Sequence, residues 1–222
     1  AMVGDRASSV CAVLAAAATV AVAASCATAP AAPEAERATV DHPGRYLTRY
    51  RGSRVEVVVD SEYASRSAGE PWLILNVAIT GTRRISQEIR ASAIRLVTPD
   101  GRTIPLPPYA EINRRRDEIV AAGRRAEITA DPLGVFQAGR EWLPLRFHPM
   151  PGGRTPHLSS RPSATLLTDA YPAAMTSVWV NNRKIYWGPL YFPVEGGVVP
   201  GEYDLEIELR DGTVVRIPFQ VS

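Results

Sequence analysis

A chain of 222 residues, 45% hydrophobic and 22% charged, is long enough to bury a domain-sized core and too apolar to be disordered throughout. A formal net charge of +2 gives no reason to expect nucleic acid as a partner, since a phosphate backbone is met by a concentrated basic face. The two cysteines, Cys11 and Cys26, both precede the body of the chain, which excludes thiol catalysis and zinc–thiolate sites from that body.

Residues 7–33 carry no charge, and 10–24 form an apolar run dominated by alanine and valine, with Arg6 before it. A basic region, an apolar region and small residues at the cut follow the order of a secretory signal, and the run is too weakly apolar for a comfortable membrane span. The segment Ala23-Ala24-Ser25-Cys26 resembles the lipobox of bacterial lipoproteins, with Ala23 where leucine is commonest. That resemblance implies diacylglyceryl transfer to the Cys26 sulfur, cleavage before it and acylation of its amine. Together these supply the two or more chains that a lasting anchor needs. Ordinary cleavage after Ala21-Val22-Ala23, leaving a soluble protein, and an uncleaved signal anchor are the competing readings. Residues 27–43 are rich in alanine, proline and glutamate, a composition that cannot bury a core and reads as a tether. Ala27, in place of an aspartate after the cysteine, implies by the same resemblance the outer membrane if the host has two. The expected division is a signal peptide at 1–25, a lipidated cysteine and tether at 26–44 and a folded domain at 45–222.

From Tyr46 onward the period of two that marks strands dominates. Val55, Val57 and Val59 fall on one face, with Arg54 and Glu56 on the other. Residues 72–79 (WLILNVAI) are nearly all apolar, as in a strand buried on both faces. Residues 94–98 lead into the turn Pro99-Asp100-Gly101, and 103–106 lead away. Residues 109–129 break the pattern with helix formers, placing Ile112, Ile119 and Val120 near one face. A helix of two to four turns is expected there, ended or interrupted by Gly123. Strands follow at 142–147, 164–167, 177–180 and 184–186, the last two separated by Asn181-Asn182, and the proline- and glycine-rich 148–163 reads as a long loop. At the end, Tyr203, Leu205, Ile207 and Leu209 alternate with Asp204, Glu206, Glu208 and Arg210. Asp211-Gly212 then form a type I′ turn and 214–221 return. Short strands at this spacing, broken by many prolines and glycines, predict an all-β antiparallel sandwich with one short helical insertion. The segment Pro200-Gly201-Glu202-Tyr203-Asp204-Leu205 resembles the penultimate strand of immunoglobulin-like domains. That implies a Tyr203 hydroxyl bonded to nearby backbone, and it implies no activity.

The histidines, His42, His148 and His157, match no ligand spacing and read as solvated loop residues, so no metal and no other cofactor is expected. There is no Gly-x-Ser-x-Gly elbow, and neither Gly152-Gly153 nor Gly196-Gly197 precedes a helix. Glu206 and Glu208 fall on the outward face of a strand, so nothing argues for an enzyme. Arg114, Arg115 and Arg116, followed by Arg124-Arg125, form the densest positive patch, suited to anionic headgroups or an acidic partner. The interleaved Asp117, Glu118 and Glu127 favour a solvated helix face instead. Every basic residue but Lys184 is arginine, which suits bidentate anion recognition and equally follows from a GC-rich genome.

An aromatic cluster, Trp179, Tyr186, Trp187, Tyr191 and Phe192, can stack against sugar rings or anchor a protein. Trp179 alternates as a core residue should, whereas Trp187, before Gly188-Pro189, is expected at a strand end and exposed, with Tyr186 and Tyr191 as its candidate neighbours. The expected role is a non-enzymatic interaction module of a cell-envelope assembly, held to the membrane through lipid on Cys26 and binding envelope proteins. A glycan-binding module using exposed aromatics is the alternative, and an envelope hydrolase a third.

Overall fold

Alternating burial along the strands sets the architecture of this computed structural model, which describes residues 38–124, 140–148 and 174–222. The signal, Cys26, most of the tether, the strand expected at 164–167 and all but His148 of the 148–163 loop lie outside the described residues. The larger sheet has six strands in the order β1 (Thr39–Gly44), β2 (Leu47–Arg51), β3 (Val55–Asp60), β4 (Trp72–Gly81), β10 (Lys184–Pro193) and β8 (Glu141–Pro144). A second sheet has the order β12 (Val214–Val221), β11 (Gly201–Glu208), β6 (Ile94–Val97) and β7 (Thr103–Pro105), and β5 (Gln87–Arg90) pairs with β9 (Ser177–Val180) in a third. Strand β1 begins within the segment read as tether, so the folded body starts six residues earlier than the boundary at 45.

The described residues form an all-β sandwich. Leu73, Leu75, Val77 and Ile79 of β4, with Leu190 and Phe192 of β10, meet Tyr203, Leu205 and Ile207 of β11 and Val215, Ile217 and Phe219 of β12 in one buried core. The antiparallel expectation fails at one pair: β8 runs parallel to β10. A parallel pair needs a long crossover, and the chain between Pro144 and Lys184 is long enough to provide it.

Every residue of β4 is buried, as its apolar run predicts. One face lies on the shared core. The other is covered at one end by helices and at the opposite end by Leu47, Trp142 and Trp187, packed on Val58, Ala78 and Ile185. Two helices cover the first end, α2 (Tyr109–Arg114) and α3 (Arg116–Arg124), with Arg115 between them. Ile112 and Ile119, seven residues apart, dock on Trp72, Ile74 and Tyr191. The helical region thus breaks at Arg115 and continues through Gly123, contrary to the expected break; both apolar contacts, Ile112 and Ile119, lie before the glycine. A further short helix, α1 (Glu62–Arg66), was not expected; the Asp60 carboxylate accepts the Glu62 N–H at 2.9 Å and opens it.

The final hairpin pairs Glu208 with Val214, and Tyr203, Leu205, Ile207 and Leu209 all face the core. Its turn is not the two-residue type expected: Leu209 N–H donates to Thr213, Gly212 N–H donates to Leu209, and Gly212 has φ of +83°. That is a three-residue loop with glycine in the left-handed position. Glu206 is buried rather than exposed, held between Arg95 at 2.9 Å and Arg216 at 2.7 Å. The carboxyl is pushed up by burial, and the hydrogen bonds from the two guanidiniums outweigh that and bring it below its ordinary range. Tyr203 donates its hydroxyl to the Val199 carbonyl at 2.9 Å and accepts the Val199 N–H at 3.1 Å.

Candidate functional site

The residues singled out in the sequence do not assemble into one site. Tyr186 and Tyr191 are buried on opposite faces of β10, Tyr186 in the central core and Tyr191 under the helices. Trp187 is half-buried against Ile185, Val58 and Ala78, not exposed at a strand end. The strand does not stop at Gly188-Pro189. It continues to Pro193, because β8 ends opposite Trp187 and leaves Pro189 with a neighbouring strand on one side only. Trp179 reverses its expected role: Val178 and Val180 are the inward pair of β9, and Trp179 is 49% exposed.

Of the three clustered arginines, Arg114 is exposed. Arg115 is occupied, bonding Glu118 at 2.7 Å and lying over the Trp72 ring at 4.6 Å, and Arg116 opens α3. Of the three, Arg115 is the one that holds the helices to the sheet, through Trp72.

His148, expected in solvent, is buried. Its Nε2–H donates to the Pro107 carbonyl at 2.7 Å, its ring lies 5.8 Å from that of Tyr191, and Nδ1 has no hydrogen-bond partner among the described residues. Burial, against the pull of that carbonyl, brings its pKa down to about 4. Burial also pushes Tyr63 up to about 12, helped by Asp60 and Glu62, and raises Tyr191. All three rings are therefore neutral near pH 7; Tyr63 and Tyr191 pack under the helices, and His148 donates to Pro107. Among the described residues no three histidines, cysteines or carboxylates come together as a metal site, and no helix is long and apolar enough to cross a membrane.

What the fold does assemble is one end of the sandwich. The β4–β5 loop, residues 82–86, is tied to the β2–β3 turn by Thr82 N–H donating to Arg54 at 2.9 Å. It is tied to the β9–β10 turn by Asn182 N–H donating to Arg83 at 2.9 Å. Arg54 pairs with Asp211 of the β11–β12 loop, and Glu141 N–H at the start of β8 donates to Arg183 at 2.8 Å. Five segments distant in sequence thus share one rim.

The side chains on that rim are unusual in two respects. Arg83, Arg84, Arg183 and Arg210 are exposed, and none makes an ion pair among the described residues; Glu141 is the exposed carboxylate at the border, while Glu56 and Asp211 are taken up by neighbouring arginines. Beside them Ile85 is 83% exposed, next in sequence to Arg83-Arg84, and Trp179 stands outward on β9 across from Glu88. The sequence carries Arg83-Arg84 as a plain pair, but the approach of Arg183 and Arg210 depends on contacts across the sheets.

Gly81 holds this rim together. A Cβ there would lie 2.6 Å from the Asn181 Cα and 3.0 Å from its backbone N and C, so no flexible side chain can yield. Gly81→Ala is expected to cost about 1–3 kcal/mol by overpacking and to disturb the β9–β10 turn locally. Urea unfolding with amide exchange at 181–183 measures both, and an unchanged midpoint would show that the close approach is relaxed in solution.

Comparison with protein-family models, with curated proteins and with solved structures gives no match to this chain.

Proposed function

We propose that the protein is a lipid-anchored, non-enzymatic module of the cell envelope, an immunoglobulin-like sandwich that binds through its arginine-rich end. The observation that carries this reading is the exposed Ile85 and Trp179 set among four arginines without ion-pair partners among the described residues. A rim of like charge with apolar projections among it attracts an anionic partner and offers that partner apolar contacts. The anchor rests on Ala23-Ala24-Ser25-Cys26, and the immunoglobulin likeness is supported by the Tyr203 hydroxyl closing on Val199 at the entrance of β11. Outer-membrane placement follows from Ala27 if the host has two membranes. A glycan-binding role would now have to use Trp179, since Trp187, Tyr186 and Tyr191 form no exposed platform.

The test is made in the native host with a C-terminally tagged chain carrying a photo-crosslinking residue at Ile85 or, at the far end of the sandwich, at Val199. The expected result is an N-terminal peptide beginning at acylated Cys26, and adducts of defined mass, protein or lipid, at 85 and not at 199. An unmodified N-terminus would remove the anchor, and equal adducts at both positions would remove the assigned surface.

A further inference from the structure

We propose that the arginine-rich end docks on an anionic phospholipid surface, with the arginines on the headgroups and Ile85 and Trp179 in the interfacial layer. This deepens the binding role given to that end and rests on it. Three independent observations converge.

The first is charge. Arg83, Arg84, Arg183 and Arg210 come from three loops onto one rim and have no carboxylate partner among the described residues. Arginine forks match phosphate oxygens, and each basic side chain near an anionic leaflet raises partitioning by about fivefold. The second is the apolar geometry. Ile85 protrudes from a loop and Trp179 from a two-stranded ribbon, as separate projections among cations rather than a continuous flat patch. Separate projections suit insertion between headgroups, where an indole ring is at home, better than a protein interface, whose anchors sit in a packed centre.

The third is the direction of the chain. Thr39, the first residue of β1, pairs with Arg51 at the head of the β2–β3 turn, so the chain enters the sandwich at this same rim. The Gly44–Leu47 turn and the C-terminal Val221, paired with Gly201, lie at the opposite end. A chain anchored at Cys26 would therefore be joined to the bilayer through this rim.

The experiment uses the full chain with Cys11→Ser and Cys26→Ser and one environment-sensitive fluorophore on Ile85→Cys or, as the far-end control, on Val199→Cys. Vesicles of phosphatidylcholine with or without phosphatidylglycerol are added. The proposal expects a blue shift at position 85 with phosphatidylglycerol vesicles only, suppressed by salt and absent at 199. Arg83→Gln/Arg84→Gln should lower the apparent partition about 25-fold, the product of two such losses, with unchanged far-ultraviolet dichroism. The dependence on phosphatidylglycerol and on the two arginines separates docking of this rim from binding by the apolar N-terminal run, which would bring the same rim near any vesicle. No shift at 85, an equal shift at 199, or a shift indifferent to the arginines overturns the inference. If vesicles leave position 85 unchanged while the crosslinker there captures a defined protein in cells, the rim is a protein-binding surface: the binding role stands and the lipid assignment falls. If neither occurs, both fall.

Discussion

Trp72→Ala is expected to lower the free energy of unfolding by about 3–5 kcal/mol, the range for truncating a large buried aromatic. Trp72 is fully buried at the start of β4, on the face turned away from the central core, where Ile112 and Ile119 of the two helices rest on it together with Tyr63, Ile74 and Tyr191. Its ring also lies under Arg115, and its indole N–H donates to Glu118 at 3.4 Å. Removing the ring therefore empties a cavity and releases the contacts that bind α2 and α3 to the sheet. The cation–ring contact is the smaller part, about 0.5–1 kcal/mol at a partly solvated site, so Arg115→Gln should cost far less than the truncation. Two measurements separate local from general damage. Urea unfolding gives the total loss, and amide exchange at 112 and 119 should quicken more in Trp72→Ala than in Leu96→Ala, whose side chain lies in the central core. A loss below about 1 kcal/mol, or equal exchange in the two variants, would mean that the helices are not held by this contact.

Acid should destabilise the fold through His148. Its folded-state pKa of about 4 lies below the ordinary value of 6.5 because burial disfavours the charged ring. Between those two values the unfolded chain binds the extra proton, so stability rises with pH across this window and falls as pH drops from about 6.5 toward 4. The full difference amounts to about 3 kcal/mol, and about 2 kcal/mol of it should appear between about pH 7.5 and about pH 5. Nδ1 has no acceptor among the described residues, so protonation gains no hydrogen bond from them. His148→Gln can keep the bond to Pro107 without titrating. Unfolding curves of the two proteins at both pH values give the histidine's share, because every other titrating group is common to them. Identical pH dependence would mean that His148 is solvated in the native state.

Much of the strand plan was legible in the sequence because alternation is local. Val55, Val57 and Val59, the buried run from Trp72, and the inward Tyr203, Leu205, Ile207 and Leu209 need nothing but the pleat to fix which way each side chain faces. The errors fall where a side chain's setting depends on a distant segment. His148 in a proline-rich stretch looks solvated until Pro107 and Tyr191 close over it. Glu206 looks like an exposed carboxylate until Arg95, from a strand more than a hundred residues earlier, reaches it. Trp179 and Trp187 exchanged roles for the same reason: which residues of β9 and β10 face inward was set by pairing with β5 and β4, and not by their own spacing.

The rim of arginines belongs wholly to that second kind of information. By itself the sequence determined that the body is an all-β fold without thiols and that its last hairpin alternates, since composition and pleat act over neighbouring residues. Only the tertiary structure decided that Arg83, Arg84, Arg183 and Arg210 share one end with Ile85, Trp179 and the entry of the chain at Thr39. The physical reason is that turns are placed by strand order, and strand order follows from packing two apolar faces against each other, a condition no single segment carries.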